Sequence, residues 1–242
     1  MTEVEIRRAI NASDVAEQAS HYIAQELQQL LKTKPLVHFC LTGGTVGILT
    51  LKHLATNEQF HALDFARIHV WFGDERYVSE TSSDRNANQA KEALLDAIAI
   101  DSANVHEFPS IESGLSAEEA AKDFEAELTN VFGDVSPAMD LMIMGMGPDG
   151  HVASLFPGRK HSGLIVAETN SPKPPPLRLS MSMNLINSSG QIVFVVSGID
   201  KAEVVERIHR VENCDLPAAQ VEAVSQTVWF IDEAAGAAFW SC

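Results

Sequence analysis

Short apolar runs alternate with stretches of helical periodicity along this chain, and the turns that follow the runs are dense in glycine and charge. Leu36 to Leu41, Ile68 to Phe72, Met139 to Met144, Leu177 to Met183, Gln191 to Val196 and Thr227 to Ile231 read as strands, with Val105 to Phe108 as a shorter one. Helical patterns fall between them. Ser13 reads as the cap of a helix to about Leu31, with Asp14 and Glu17 in its first turn complementing the dipole. Further helices are expected through Leu54, from about Asn88 to Ile98, and at the C-terminus. Another is opened by Ser197-Gly198-Ile199-Asp200-Lys201 and runs to about Val211. Ser116 with Glu119 three residues on is a capping box for a helix to about Val131. Strands alternating with helices specify an α/β fold: a mostly parallel sheet with helices on both faces, a Rossmann-like three-layer architecture. Residues 1–242 are expected to form a single domain, with a small subdomain around residues 100–135 as the alternative. Four prolines between Asn170 and Pro176 make a stiff loop rather than a domain linker.

Bulk properties narrow the function. A formal charge of −16 excludes non-specific binding to nucleic acid or to an anionic membrane, because that binding needs clustered Lys and Arg. No apolar run approaches the roughly 20 residues of a transmembrane helix. The first ten residues carry Glu3, Glu5, Arg7 and Arg8 and no apolar core of a signal peptide. Cys40, Cys214 and Cys242 are odd in number and far apart, so reduced thiols and a cytoplasmic location are expected. In so acidic a chain, an anionic ligand requires the few cations to gather at its site.

The turns after four strands carry unusual chemistry. Gly43-Gly44-Thr45 lies between a strand and a helix, where free N–H groups, a hydroxyl and the helix dipole suit a phosphate; a plain tight turn is the equal alternative. Asp74-Glu75-Arg76 ends the second strand, and an arginine there reads as a ligand or transition-state contact rather than a solvated charge. Gly145 to Gly158 presents Asp149 and His151 in a glycine-rich turn. An imidazole there is the natural general base at neutral pH, with a buried structural histidine as the alternative, and Asp149, two residues away, either fixes its tautomer or points elsewhere. The spacing Gly145-x-Gly147-x-x-Gly150 formally fits a dinucleotide fingerprint, but Pro148 and Asp149 sit where a pyrophosphate would lie, and Pro157 stops any helix after Phe156. Lys201 at a helix start is unfavourable for folding alone and makes sense beside an anion; Arg178 is a weaker candidate of the same kind. No G-x-S-x-G elbow is present, so Ser154 reads as a helix residue, and no His or Cys pair has H-E-x-x-H spacing. In a parallel sheet all four turns share one edge.

These blocks together resemble the 6-phosphogluconolactonase family, within the wider group that includes glucosamine-6-phosphate deaminases. The matching segments are Leu41 to Thr45, Trp71 to Arg76, Asp84 to Asn86, Gly145 to Gly158 and Ser197 to Ala202. The ending Ser154-Leu155-Phe156-Pro157-Gly158 and the presence of Arg76 favour the lactonases, since the deaminases carry Phe-Asn-Glu-Pro and Asp-Glu-Tyr there. The resemblance implies hydrolysis of 6-phosphoglucono-δ-lactone in the oxidative pentose phosphate pathway, with no metal and no organic cofactor. It implies catalytic roles for His151, Arg76 and Asp149, and substrate binding by Gly43, Gly44, Thr45, Asp74, Asn86, Arg178 and Lys201. The chain departs from the family with Val46 and Gly47 in place of a second hydroxyl residue and a proline, and with Arg85-Asn86 in place of Ser-Asn. The expected partner is the small phosphorylated lactone, and the expected assembly a monomer or weak homodimer. The competing readings are a deaminase and a non-catalytic sugar-phosphate sensor.

Overall fold

The computed structural model describes residues 3–240; Cys242 lies outside the described residues. In chain order the elements are β1 (Glu3–Ala9), α1 (Ala12–Thr33), β2 (Val37–Leu41), α2 (Thr45–Leu54), α3 (Glu58–His61), β3 (Ile68–Phe72), β4 (Asp74–Arg76), α4 (Asn86–Ala93) and α5 (Ala117–Phe132). They continue with β5 (Leu141–Met144), β6 (Ile165–Glu168), β7 (Arg178–Met181), α6 (Met183–Asn187), β8 (Gln191–Val196), α7 (Ala202–Arg210), β9 (Gln226–Asp232) and α8 (Ala237–Trp240). Six strands form a parallel sheet in the order β1-β9-β8-β5-β2-β3, and β4, β7 and β6 form a second, antiparallel one.

The side-chain period of two assigns the layers. On β9, Trp229 meets His209 of α7, while its neighbour Phe230 meets Tyr22 of α1. On β3, Trp71 packs against Phe124 of α5. The register Trp71–Cys40–Met142–Ile192 puts Trp71 on the Trp229 side, so α5 and α7 cover one face and α1 the other. The apolar side of α5, Phe124 and Leu128, belongs to the same continuous core.

Where β2 leads outward to β3 and the chain then returns to β5 on the other side of β2, the sheet reverses its winding. That switch point opens a crevice at the carboxyl ends of β2 and β5. The four loaded turns follow β2, β3, β5 and β8, which are neighbours in the sheet.

Several local expectations are corrected. Asn11, not Ser13, caps α1: its side chain accepts from Asp14 N, and Asp14 accepts from Ile10 N. Asp74 to Arg76 is not a turn but strand β4, paired with β7. The Asn88–Ile98 helix starts at Asn86 and ends at Ala93, because Leu94 leaves helical space at φ −145° and a 3₁₀ turn follows. Val105 makes only a single bridge, to Val70. No helix follows His151; Val152 to Leu155 closes as a tight turn with Ala153 at φ 48°. Strands β1 and β6 add to those read from the apolar runs. The capping box at Ser116 and Glu119 is present as expected.

Candidate active site

A cleft of about 600 Å³ occupies the switch point, between the carboxyl edge of the main sheet and the small antiparallel sheet. Gly43, Gly44, Thr45, Asp74, Arg76, Asn86, His151, Arg178 and Lys201 all line it, and Asp149 stands behind His151. The structure thus gathers every residue singled out from the sequence. It also adds Lys173, from the proline-rich loop, and Asp200.

The wall from the main sheet begins at β2. Gly44 stands at the N-cap of α2, and no side chain caps this helix, so the N–H groups of its first turn are left for a ligand in the cleft. Gly43 has to be glycine, because a Cβ there would lie 2.0 Å from Asn86 Oδ1. Gly47 is explained in the same way: a Cβ would come within 2.7 Å of the Thr42 methyl, so α2 packs close against the turn that precedes it. After β8, the buried Asp232 accepts from Ser197 Oγ (2.5 Å) and Gly198 N (3.2 Å) and so sets the turn that presents Lys201. The Lys201 ammonium lies between the two oxygens of Asp200, at 3.1 and 3.0 Å.

The turn after β5 supplies the acid–base group. His151 Nδ1 lies 2.5 Å from Asp149 Oδ1. A carboxylate only accepts, so Nδ1 carries the proton and Nε2 keeps its lone pair. Burial pushes the imidazole below its ordinary pKa, Asp149 pulls it back up, and Lys173 pushes it down. The net direction is down, so the ring is neutral at pH 7. Burial also opposes the charge on Asp149, but the hydrogen bond and charge of His151 outweigh it and hold that carboxyl below its usual range. Gly147 makes room for the pair: a Cβ would sit 2.0 Å from His151 Cε1 and 2.7 Å from Asp149 Oδ1. The turn is closed by Gly147 N donating to His151 O at 3.0 Å. Phe156 covers the ring at 4.7 Å between centroids.

The charged segment after β3 is used differently. Asp74 accepts from Ser154 Oγ at 2.7 Å and from Asn86 Nδ2 at 3.2 Å, tying the β4, α4 and His151 segments together. Ser154 is fully buried and is a donor in that link, neither a helix residue nor a nucleophile. Glu75, fully buried, accepts from the N–H groups of Arg76, Asn86 and Ala87 and so caps α4. Burial pushes its carboxyl up. Arg85, also buried, donates to Phe108 O at 2.7 Å. Arg76 donates to Asp84 O at 2.5 Å, while its Nε is buried with no partner. Arg178 is buried and spends its guanidinium on the carbonyls of Lys173, Pro174 and Pro175. Its part in binding an anion is therefore through the loop that it braces as much as through its own charge. Asn86 Oδ1 is buried without a partner. Among the described residues no cluster of three or more His, Cys, Asp or Glu is arranged to hold a metal ion.

Fold and cleft place the chain among open α/β proteins that take ligands outside the carboxyl ends of their strands. The family described as glucosamine-6-phosphate isomerases/6-phosphogluconolactonase matches residues 10–229, and the chain belongs to it. The chain is 38% identical over 228 residues to the 6-phosphogluconolactonase of Mycobacterium leprae, covering 90% of this chain and 92% of that one. It superposes on the crystal structure of 6-phosphogluconolactonase from Thermotoga maritima with a TM-score of 0.83 at 28% identity, covering 95% and 100% of the two chains. A monomeric glucosamine-6-phosphate deaminase shares the fold at TM-score 0.80 and 20% identity, over 97% and 99% of the chains.

Proposed function

We propose that this protein hydrolyses 6-phospho-D-glucono-1,5-lactone to 6-phospho-D-gluconate, the lactonase step of the oxidative pentose phosphate pathway, and that residues 1–242 act as one catalytic unit. The observation that carries the reading is the His151–Asp149 pair: a neutral imidazole, proton on Nδ1, bordering a cleft that also takes in an uncapped helix start. The relatives named as lactonases support the substrate. So does charge: four cations, Arg76, Lys173, Arg178 and Lys201, line one cleft of a chain with a formal charge of −16.

In this reading the backbone of Gly43, Gly44 and Thr45, with Lys201, holds the phosphate. Lys201 leaves Asp200 to do so. His151 Nε2 takes a proton from water as the water oxygen bonds to C1, and the carbonyl electrons move onto oxygen. The tetrahedral intermediate collapses by breaking the bond from C1 to the ring oxygen. The imidazolium returns its proton to that oxygen, which becomes the 5-hydroxyl, and the new carboxylic acid loses its proton to solvent. Arg76, with Nε unspent, faces the substrate's negative charge. Asp74 and Asn86 hold the cleft walls in register and contact the sugar. No organic cofactor or metal enters these steps. The protein is proposed to act in the cytoplasm as a monomer or weak homodimer; no helix among the described residues is long and apolar enough to cross a membrane.

The test is hydrolysis of freshly generated lactone by the purified protein, with spontaneous opening subtracted. Enzyme-dependent acid release is expected. Release of ammonia from glucosamine 6-phosphate, without lactone hydrolysis, would overturn the reading in favour of the deaminase. Tight phosphosugar binding with neither reaction would make the protein a sensor.

A further inference from the structure

Four cations line the cleft, and three of them already hold protein partners, Arg76 with its Nε left over. Lys201 is paired with Asp200, Arg178 is bonded to three loop carbonyls, and Arg76 reaches Asp84 O. The ammonium of Lys173 has no hydrogen bond or ion pair among the described residues, although the side chain lines the same cleft. Its backbone, by contrast, is fastened at both ends. Lys173 N donates to Ser171 Oγ (3.2 Å), and Lys173 O accepts from Ser171 Oγ (2.9 Å) and Arg178 Nη2 (3.0 Å). Ser171 N closes the loop onto Pro176 O at 3.0 Å. The stiff, prolyl-flanked loop therefore fixes the root of a side chain whose charge is unspent.

The loop joins β6 to β7, so this charge enters from the small sheet, across the cleft from Gly44 and Lys201 on the main sheet's edge. Its charge opposes protonation of the His151 ring, against the pull of the carboxylates of Asp149 and Asp74. A cation beside a general base opposes the protonated state that the base must reach. The arrangement works only if negative charge develops between the two, which is what happens at the lactone carbonyl when water adds.

We propose that Lys173 is a substrate contact for C1: its ammonium stabilises the oxyanion of the tetrahedral intermediate and then the carboxylate of the product, leaving the phosphate to Lys201 and α2. This rests on the lactonase reading. It divides the cleft by charge, with one anionic group of the product against each wall.

The experiment compares Lys173→Ala, Lys173→Arg and Lys201→Ala in calorimetric binding of 6-phosphogluconate and of inorganic phosphate, alongside the lactone assay. Lys173→Ala is expected to weaken 6-phosphogluconate by about tenfold or more while leaving phosphate essentially unchanged, and to lower kcat by up to about 10²-fold. The acid limb of its rate profile should move to higher pH, because His151 loses a repelling charge. Lys173→Arg should keep most of the binding, and the exposed site should leave the melting temperature unchanged. Lys201→Ala should weaken both ligands. Equal loss of both ligands in Lys173→Ala would make Lys173 a phosphate anchor and overturn the proposal, as would no loss of either. Wild-type protein that binds both ligands but fails to open the lactone would instead sink the lactonase reading, and the two failures are distinct.

Discussion

Two segments leave neighbouring regions of the sheet edge with similar equipment: Asp149-Gly150-His151 after β5, and Asp74-Glu75-Arg76 after β3. Each sets carboxylates beside a base or cation. In the first, the Asp–His bond leaves Nε2 of a neutral ring available at the cleft. In the second, Glu75 is consumed by three backbone N–H groups and Asp74 by Ser154 and Asn86. Only Arg76 keeps an unused donor. Charge at the sheet edge marks a site where hydrogen-bonding capacity is left over at the cleft; Glu75, fully buried and bound to three N–H groups, is framework.

That contrast predicts a separation of activity from stability. The largest effect is expected for His151→Ala, which should lower kcat by about 10²–10⁴-fold with KM within a few-fold and little change in melting temperature. Retention of full activity would remove His151 from the mechanism. Glu75→Ala should do the reverse in kind: it strands three N–H groups and the buried Arg85, costing about 3–5 kcal/mol in urea denaturation. A stable but inactive Glu75→Ala protein would erase the distinction between the two segments.

Asp149→Asn sharpens the comparison within the catalytic turn. Its carboxylate is the group that raises the His151 pKa against burial. Burial outweighs that pull, so the wild-type acid limb of kcat/KM should lie below the ordinary histidine value of about 6.5. Activity is retained while the ring is neutral and lost as pH falls through that depressed value. Removing Asp149 should move the limb lower still while cutting kcat by roughly tenfold or more, since the imidazolium loses its partner. An upward move of the limb would contradict the assignment. Smallest in its effect on chemistry, Lys201→Ala should mainly raise KM, because the phosphate is bound alike in ground and transition states; a change confined to kcat would argue against an anchoring role.

The legibility of the chain follows the same physics. Strands buried on both faces, such as β2, β5 and β8, announce themselves as apolar runs. Strand β1 does not: it is an edge, Val4 is exposed, and Glu3, Glu5, Arg7 and Arg8 mask its alternation. Strand β4 has only three residues, all charged, and is held by its partner β7 rather than by propensity. Within the cleft, the unusual glycines and charges are readable because nothing in core packing requires them. Lys173 is hidden because its flanking prolines read simply as stiffness. A lone lysine held in a proline run of an acidic chain is the available signal. The bond from Ser154 to Asp74 spans 80 residues and no local pattern encodes it.

Catalysis turns on how one small product with two anionic ends lies across the cleft. A crystal structure with 6-phosphogluconate bound tests that most directly. The phosphate is expected on the N–H groups of Gly44 and Thr45 with Lys201, and the C1 carboxylate within hydrogen-bonding reach of His151 Nε2. A phosphate seated against His151, or a product whose C1 lies far from that ring, would contradict it.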